Sequence, residues 1–234
     1  MPRGRTGGRS APITVEQIER AGRERGLNDL TVHGVAASLG VTPAALYRHV
    51  DGRAGLERLV GESLLAELRI PDLPDDDARA HLLRFAVLLR EFVLAHPGMS
   101  GYLQGLFPRG PAGATLLARQ ITALTRRGYA PGLASVICTT VAGLAIAQTA
   151  ADERRMTEPG TDDVARQYAR SRALLVSDAV LAEAHANLPE VSTEELFRMV
   201  MTMCVDGVLA AAPPERSVAE LVAALDTGLP IGGN

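Results

Sequence analysis

The sequence predicts an all-α fold, a small N-terminal helical unit followed by a larger helical body. Three observations predict it. Apolar residues make up 47% of the 234-residue chain, yet aromatics are only 3% and Trp is absent, so Ala, Leu and Val must fill the interior, a palette that suits helices better than strands. A helix-start signature, Ser or Thr followed three residues later by Glu or Gln, recurs at Thr14/Gln17, Ser192/Glu195 and Ser217/Glu220. Nowhere does the pattern alternate with the period of two that a half-buried strand requires.

Residues 1–12, "MPRGRTGGRSAP", form a Gly/Arg/Pro arm expected to be disordered. The arm has no apolar stretch, so no secretory signal is expected and the protein is read as cytoplasmic. A first helix starts at the Thr14/Gln17 box, stapled by Ile13 and Ile18, carries the stripe Val15, Ile18, Gly22, and ends near Gly26. A second begins after Thr31, puts Val32, Val35, Ala36 and Leu39 on one face, and stops at Gly40. Thr42 caps a third, with Pro43 at the first helical position, where its missing N–H costs nothing. Asp51 caps a fourth, whose face is Leu56, Leu59, Val60, Leu64 and Leu68.

"PDLPDDD" (71–77) cannot continue a helix and marks the seam between a unit at 13–70 and a body at 78–234. Helical patterns fill the body: 77–95, 99–106, 112–127, 131–155, 162–186 with a possible break, 193–212 stapled by Val191 and Leu196, and a short tail helix after Ser217. Residues 133–151 carry no charge and approach the length of a membrane span. They are rich in Ala and Gly, however, and interrupted by Ser135, Thr139, Thr140, Gln148 and Thr149, so they read as a helix buried in a protein bundle, with no membrane partner. Cys138 and Cys204 match no metal or redox spacing and read as buried, reduced thiols.

The chemistry concentrates in "VAASLGVTPAALYRHV" (35–50). Two short helices joined by a Gly-containing turn form a helix-turn-helix, whose second helix enters the DNA major groove. Ala44 and Ala45 permit close approach to the duplex; Thr42, Tyr47 and His49 can donate to phosphates; Arg48 is long and forked enough to read guanine bidentately. Arg53, at the next helix start, adds a phosphate contact. Tyr47 has a second reading as core packing of the small unit, and His49 one as a helix-end cap; Leu46 and Val50 belong to the core. Charge agrees: residues 1–58 hold nine Arg against six acids, while the remainder holds fifteen against twenty-one, so only the head suits a polyanion.

Over residues 13–68 the sequence resembles the DNA-binding domain of the TetR family of bacterial transcriptional regulators, through "AASLGV" at the turn and "LYRHV" at the helix end. The resemblance implies that Thr31 and His33 also face DNA, and that Thr42, Pro43, Ala44, Ala45, Tyr47, Arg48 and His49 form the reading surface. Where many members carry Lys near the fourth helix start, this chain has Arg53, and Asp51 and Gly52 leave that corner less basic, so affinity is expected to lean on Arg3, Arg5 and Arg9 of the arm. More loosely, "LAHPG", "RRGYAP" and "LFRMVMTMCVDGVLA" resemble the branch that includes the tetracycline repressor. That implies a C-terminal ligand-binding and dimerisation domain, a homodimer through two helices per subunit, and a small-molecule effector. By chain order the two helices are 131–155, with Ala142, Gly143 and Ala147, and 193–212, with Met201, Cys204, Val205 and Val208.

Phe85, Leu89, Tyr102, Leu117, Gln120 and Cys138 are the candidate ligand-binding residues, each with core packing as an alternative of at least equal weight. Gln120 leads, because an amide in the apolar row "LLARQITAL" otherwise needs an internal partner. No chelating His pair is present, so no metal and no cofactor is implied. The five His are scattered and no nucleophile or acid/base set converges, so no enzyme is expected. The expected function is a ligand-responsive repressor on a palindromic operator; a DNA-binding architectural protein without an effector is the alternative.

Overall fold

A computed structural model describes residues 13–105, 107–157, 162–186 and 188–228. The arm with Arg3, Arg5 and Arg9 lies outside them. The described residues form twelve helices: α1 Val15–Arg25, α2 Val32–Ser38, α3 Pro43–Leu46, α4 Gly52–Leu65, α5 Ala78–Ala95, α6 Met99–Gln104, α7 Pro111–Arg126, α8 Pro131–Thr157, α9 Asp162–Ser177, α10 Ala179–Ala186, α11 Thr193–Ala211 and α12 Val218–Gly228.

The helix starts follow local chemistry. Both reciprocal bonds of the box form at Thr14/Gln17 and at Ser192/Glu195, and the same pair of bonds forms at Ser217/Glu220. The break expected within 162–186 falls at Asp178, whose carboxylate accepts from the Val180 and Leu181 amides and so starts α10. Gly40, at φ 65°, makes the left-handed turn between α2 and α3 that a side chain would strain.

Ile18, Leu30, Val35, Leu46, Leu56 and Val60 bury completely and tie α1–α4 into the head. Val15, expected on the inner stripe of α1, is instead 40% exposed: it sits at the first helical position, before the chain has turned toward the core. Thr42 and Asp51 occupy their N-cap positions, but neither side chain makes a capping bond.

In the body, α8 packs against α5, α6, α7 and α11, and α11 also packs on α5. Residues Pro131–Arg154 are long and apolar enough by length and composition to cross a membrane. Yet Leu133, Ala134, Ile137, Cys138, Val141 and Ala145 bury one face against the bundle. The opposite face, with Val136, Thr140, Gly143 and Ala147, is exposed and uncharged. On α11, Met201 and Val205 are buried within their own subunit, so they cannot form the expected partner face. The exposed apolar stripe is Leu196, Met199 and Met203. Both sides of α11 are apolar, so periodicity alone does not separate them. Helices α9 and α10 pack chiefly on each other.

The 71–77 seam is fastened rather than slack. Asp72 pairs with Arg126 and Arg127, Asp76 with Arg84, and Asp77 caps α5. Arg127 also donates to the Leu73 and Asp76 carbonyls. Burial pushes the Asp72 carboxyl up, but the two arginines outweigh it and hold it below the usual range. A freely pivoting fourth helix is therefore not what this linker allows.

Candidate nucleic-acid interface and body cavity

Burial sorts the "TPAALYRHV" segment into two faces. Leu46 and Val50 anchor α3 and the turn after it in the head core. That anchoring turns Thr42, Ala44, Tyr47, Arg48 and His49 outward, with Pro43 and Ala45 half-buried beside them. Tyr47 is 54% exposed, which removes its core-packing reading. Arg48 makes no ion pair among the described residues, so its guanidinium is available. Thr31 is exposed, but its hydroxyl accepts from the Gly34 amide as the α2 cap, leaving only the hydroxyl proton to offer. His33 is exposed beside it. Arg53 is exposed too, yet its Nε donates to Glu57 at 2.7 Å, so a phosphate would compete with an internal carboxylate.

The head meets the body at two places. The turn after α1 abuts the turn before α6, where a Cβ on Gly98 would stand 2.7 Å from Asn28 Oδ1. Elsewhere α4 lies against α6 and α7, with the Tyr102 ring so close that a Cβ on Gly61 would fall 2.5 Å from it.

Within the body, Phe85, Leu89, Leu117 and Cys138 converge on one cavity of about 240 Å³. Leu103, Gly105, Phe107, Leu116, Thr139, Ala142, Gly143 and Ile146 complete its lining, and among the described residues none that is ionisable lines it except the Cys138 thiol. Burial pushes that thiol up to about 12, so it stays protonated and unreactive. Thr139 spends its hydroxyl proton on the Ser135 carbonyl one turn back. The second cysteine, Cys204, is half-buried rather than buried. Leu103 and Leu116 were findable as helical neighbours of predicted residues; Phe107 lies in a loop, where no periodicity points to it.

Two candidates stand apart from this cavity. Tyr102 packs between α4 and α6, its hydroxyl donating to Glu62 Oε1 at 3.3 Å and the Arg109 guanidinium 4.7 Å over its ring. Burial first, then the Glu62 charge, pushes its phenol well up, so it acts as a neutral donor. Gln120 is buried because it has the internal partner its sequence context demanded: its Oε1 faces His81 Nε2 at 3.1 Å. Sequence separation of 39 residues hid that pairing.

Desolvation, and then the Arg127 charge, lower the His81 pKa against the opposing pull of Asp72. The unfolded chain thus takes up a proton near pH 6.5 that the folded one resists, so His81 makes stability fall as pH drops below about 6.5. Denaturation midpoints compared between wild type and His81→Gln from pH 7.5 to 5 should show a shallower acid loss in the variant. Parallel curves would mean His81 titrates alike in both states.

No family model matches the chain. It is 32% identical over 111 residues to the class A tetracycline repressor protein of transposon 1721 from Escherichia coli, a stretch covering 47% of this chain and 51% of that relative. The chain thus spans about half the length of the curated relative it matches. Among solved structures, the Streptomyces coelicolor TetR family protein ActR in complex with (S)-DNPA matches with a TM-score of 0.73 at 22% identity, over 86% of this chain and all of that one. A single-substitution variant of TetR from Acinetobacter baumannii AYE, in complex with minocycline, matches at 0.62 and 19% identity, over 86% of this chain and 98% of that one. Mycobacterium smegmatis BioQ matches at 0.60 and 20%, over 84% and 95%. The chain thus has the fold of these TetR family structures, and over about half its length its sequence is similar to that of the tetracycline repressor.

Proposed function

We propose that the chain is a ligand-responsive transcriptional repressor, a homodimer that binds a palindromic operator and releases it when a small molecule fills the body cavity. The observation that carries the reading is the two-faced recognition segment: Leu46 and Val50 are buried, while Tyr47, Arg48 and His49 point outward from the most basic part of the chain. The tetracycline repressor relative, and the ligands (S)-DNPA and minocycline in the ActR and Acinetobacter structures, support the same reading. A mostly apolar cleft of about 240 Å³ favours it over a purely architectural DNA-binding role, which needs no such space.

The cavity's chemistry supports a particular effector class. A charged ligand would lose its hydration with no opposite charge in the walls to replace it, so the effector is small, uncharged and mostly apolar. Selecting duplexes from a random library with the dimer should recover two inverted half-sites ~34–36 Å apart or a multiple of it. Recovery of DNA with no common motif would favour the architectural role instead.

Arg48 is assigned base reading and Arg53 phosphate binding. Arg48→Ala should cost ~1–3 kcal/mol on the selected operator and relax preference at one position per half-site. Arg53→Ala should weaken all duplexes alike, and modestly, because Arg53 leaves a Glu57 pair to bind. Equal loss on every sequence for Arg48→Ala would sink its assignment.

A further inference from the structure

Helix α7 begins without a cap of its own. Its N-cap is Gly110, which has no side chain to offer, and Pro111 supplies no N–H at the first position. The next two backbone donors, Ala112 and Gly113, are satisfied from another helix: both give their N–H to Oε2 of Glu62 on α4, at 2.7 and 3.3 Å. The other oxygen, Oε1, accepts from the Tyr102 hydroxyl on α6. One carboxylate of the helix that carries the head therefore grips both α6 and α7, two elements of the cavity wall.

That wall is in contact with the cavity itself. Phe107, in the loop between α6 and α7, lines the cavity and packs so tightly on the α7 start that a Cβ on Gly113 would fall 2.9 Å from its ring. From cavity to head the contacts run Phe107, Gly113, Glu62, α4. Phe85 and Cys138 line the cavity from α5 and α8, helices outside this chain of contacts.

We propose that Glu62 is the positioning residue that couples occupancy of the cavity to the DNA-reading head, by capping α7 from α4. The proposal rests on the effector-cavity reading above. An occupant that displaces Phe107 shifts the α7 start, and the Glu62 bonds carry that shift into α4. Without the carboxylate the two helices still pack, but the start of α7 moves free of the head. A coupling of this kind works in both directions, so operator binding must equally alter the affinity of the cavity.

The cavity can be filled without knowing its ligand. Cys138→Phe places a ring in it from α8, at a position fully buried in its own subunit. Affinity for the duplex selected by the wild-type protein is then measured in a double-mutant cycle with Glu62→Ala, each variant first checked for its helical content and its oligomeric state. In the Glu62 background, Cys138→Phe should weaken operator binding about tenfold, a typical size for an allosteric coupling. In the Glu62→Ala background it should change binding less than about twofold, on the same coupling scale. Glu62→Gln, whose amide oxygen can still accept from Ala112, should restore part of the effect, and it serves as the test if Glu62→Ala does not fold. Hydrogen exchange at the Ala112 and Gly113 amides should speed up in Glu62→Ala, whereas a role confined to the head would leave them unchanged. Equal loss from Cys138→Phe in both backgrounds overturns the proposal alone. No loss in either background, in folded protein, overturns the effector-cavity reading and this coupling with it.

Discussion

Asp152→Ala is expected to remove about 3–5 kcal/mol of stability, the cost of leaving a buried partner charge uncompensated. Asp152 on α8 pairs with Arg90 on α5, both sealed from solvent, and the guanidinium lies 4.6 Å over the Phe197 ring of α11. Three core helices of the body therefore meet on one charged group. Urea denaturation at fixed protein concentration measures the effect, because any dimer stability depends on that concentration. Asp152→Asn should lose less, since its amide oxygen can still accept from Arg90. The double variant Arg90→Met/Asp152→Leu should recover most of the loss, because a well-packed apolar pair removes the desolvation cost along with the attraction. A loss below about 1 kcal/mol for Asp152→Ala would place the pair with weak surface bridges and refute its structural role.

That pair shows which interactions a sequence hides. Helix starts were legible because their chemistry is local: each box joins residues three apart, and all three formed. The helix-turn-helix was legible for the same reason, since Gly40, Pro43 and the buried Leu46 and Val50 sit within a dozen residues. Arg90 and Asp152 are separated by 62 residues, and nothing in either neighbourhood announces the other. Gln120 is the instructive case. Its need for a partner could be read from its apolar setting, but a cavity ligand and an internal histidine satisfy that need equally well on paper. The fold chose His81.

The cavity was half legible. Phe85 and Leu89 lie one turn apart on a single helix, and Leu117 and Cys138 fall on helices of the same bundle. Tyr102 lies on a helix that contributes to the cavity lining but faces α4, where its hydroxyl donates to the Glu62 carboxylate. Glu62 itself had no signal at all, because a carboxylate that caps another helix looks in sequence like any solvated charge.

Met203→Asp is expected to convert the proposed homodimer to monomer and to weaken its binding to the selected duplex by about 10²–10⁴, the advantage that two linked heads hold over one. Met203 is 60% exposed in the isolated subunit, in line with Leu196 and Met199 on α11, and Val136, Gly143 and Ala147 expose the matching uncharged stripe on α8. The proposed dimer would cover these exposed apolar stripes on two packed helices with a four-helix bundle made by two copies. In a two-fold interface each substitution acts twice, so one Asp per chain buries two unpaired carboxylates. Met203 is the cleaner site than Gly143, because Gly143 also lines the cavity and an Arg there would disturb both. Sedimentation should give a single species of about half the wild-type mass with helical content unchanged. The monomer should still bind an isolated half-site as the wild-type head does, since Met203 lies on a body helix and Tyr47 and Arg48 on the head. A folded Met203→Asp dimer at micromolar concentration would move the interface off α11, and the exposed apolar residues of α9 and α10, among them Leu174, Val176 and Val180, would become the surface to test next.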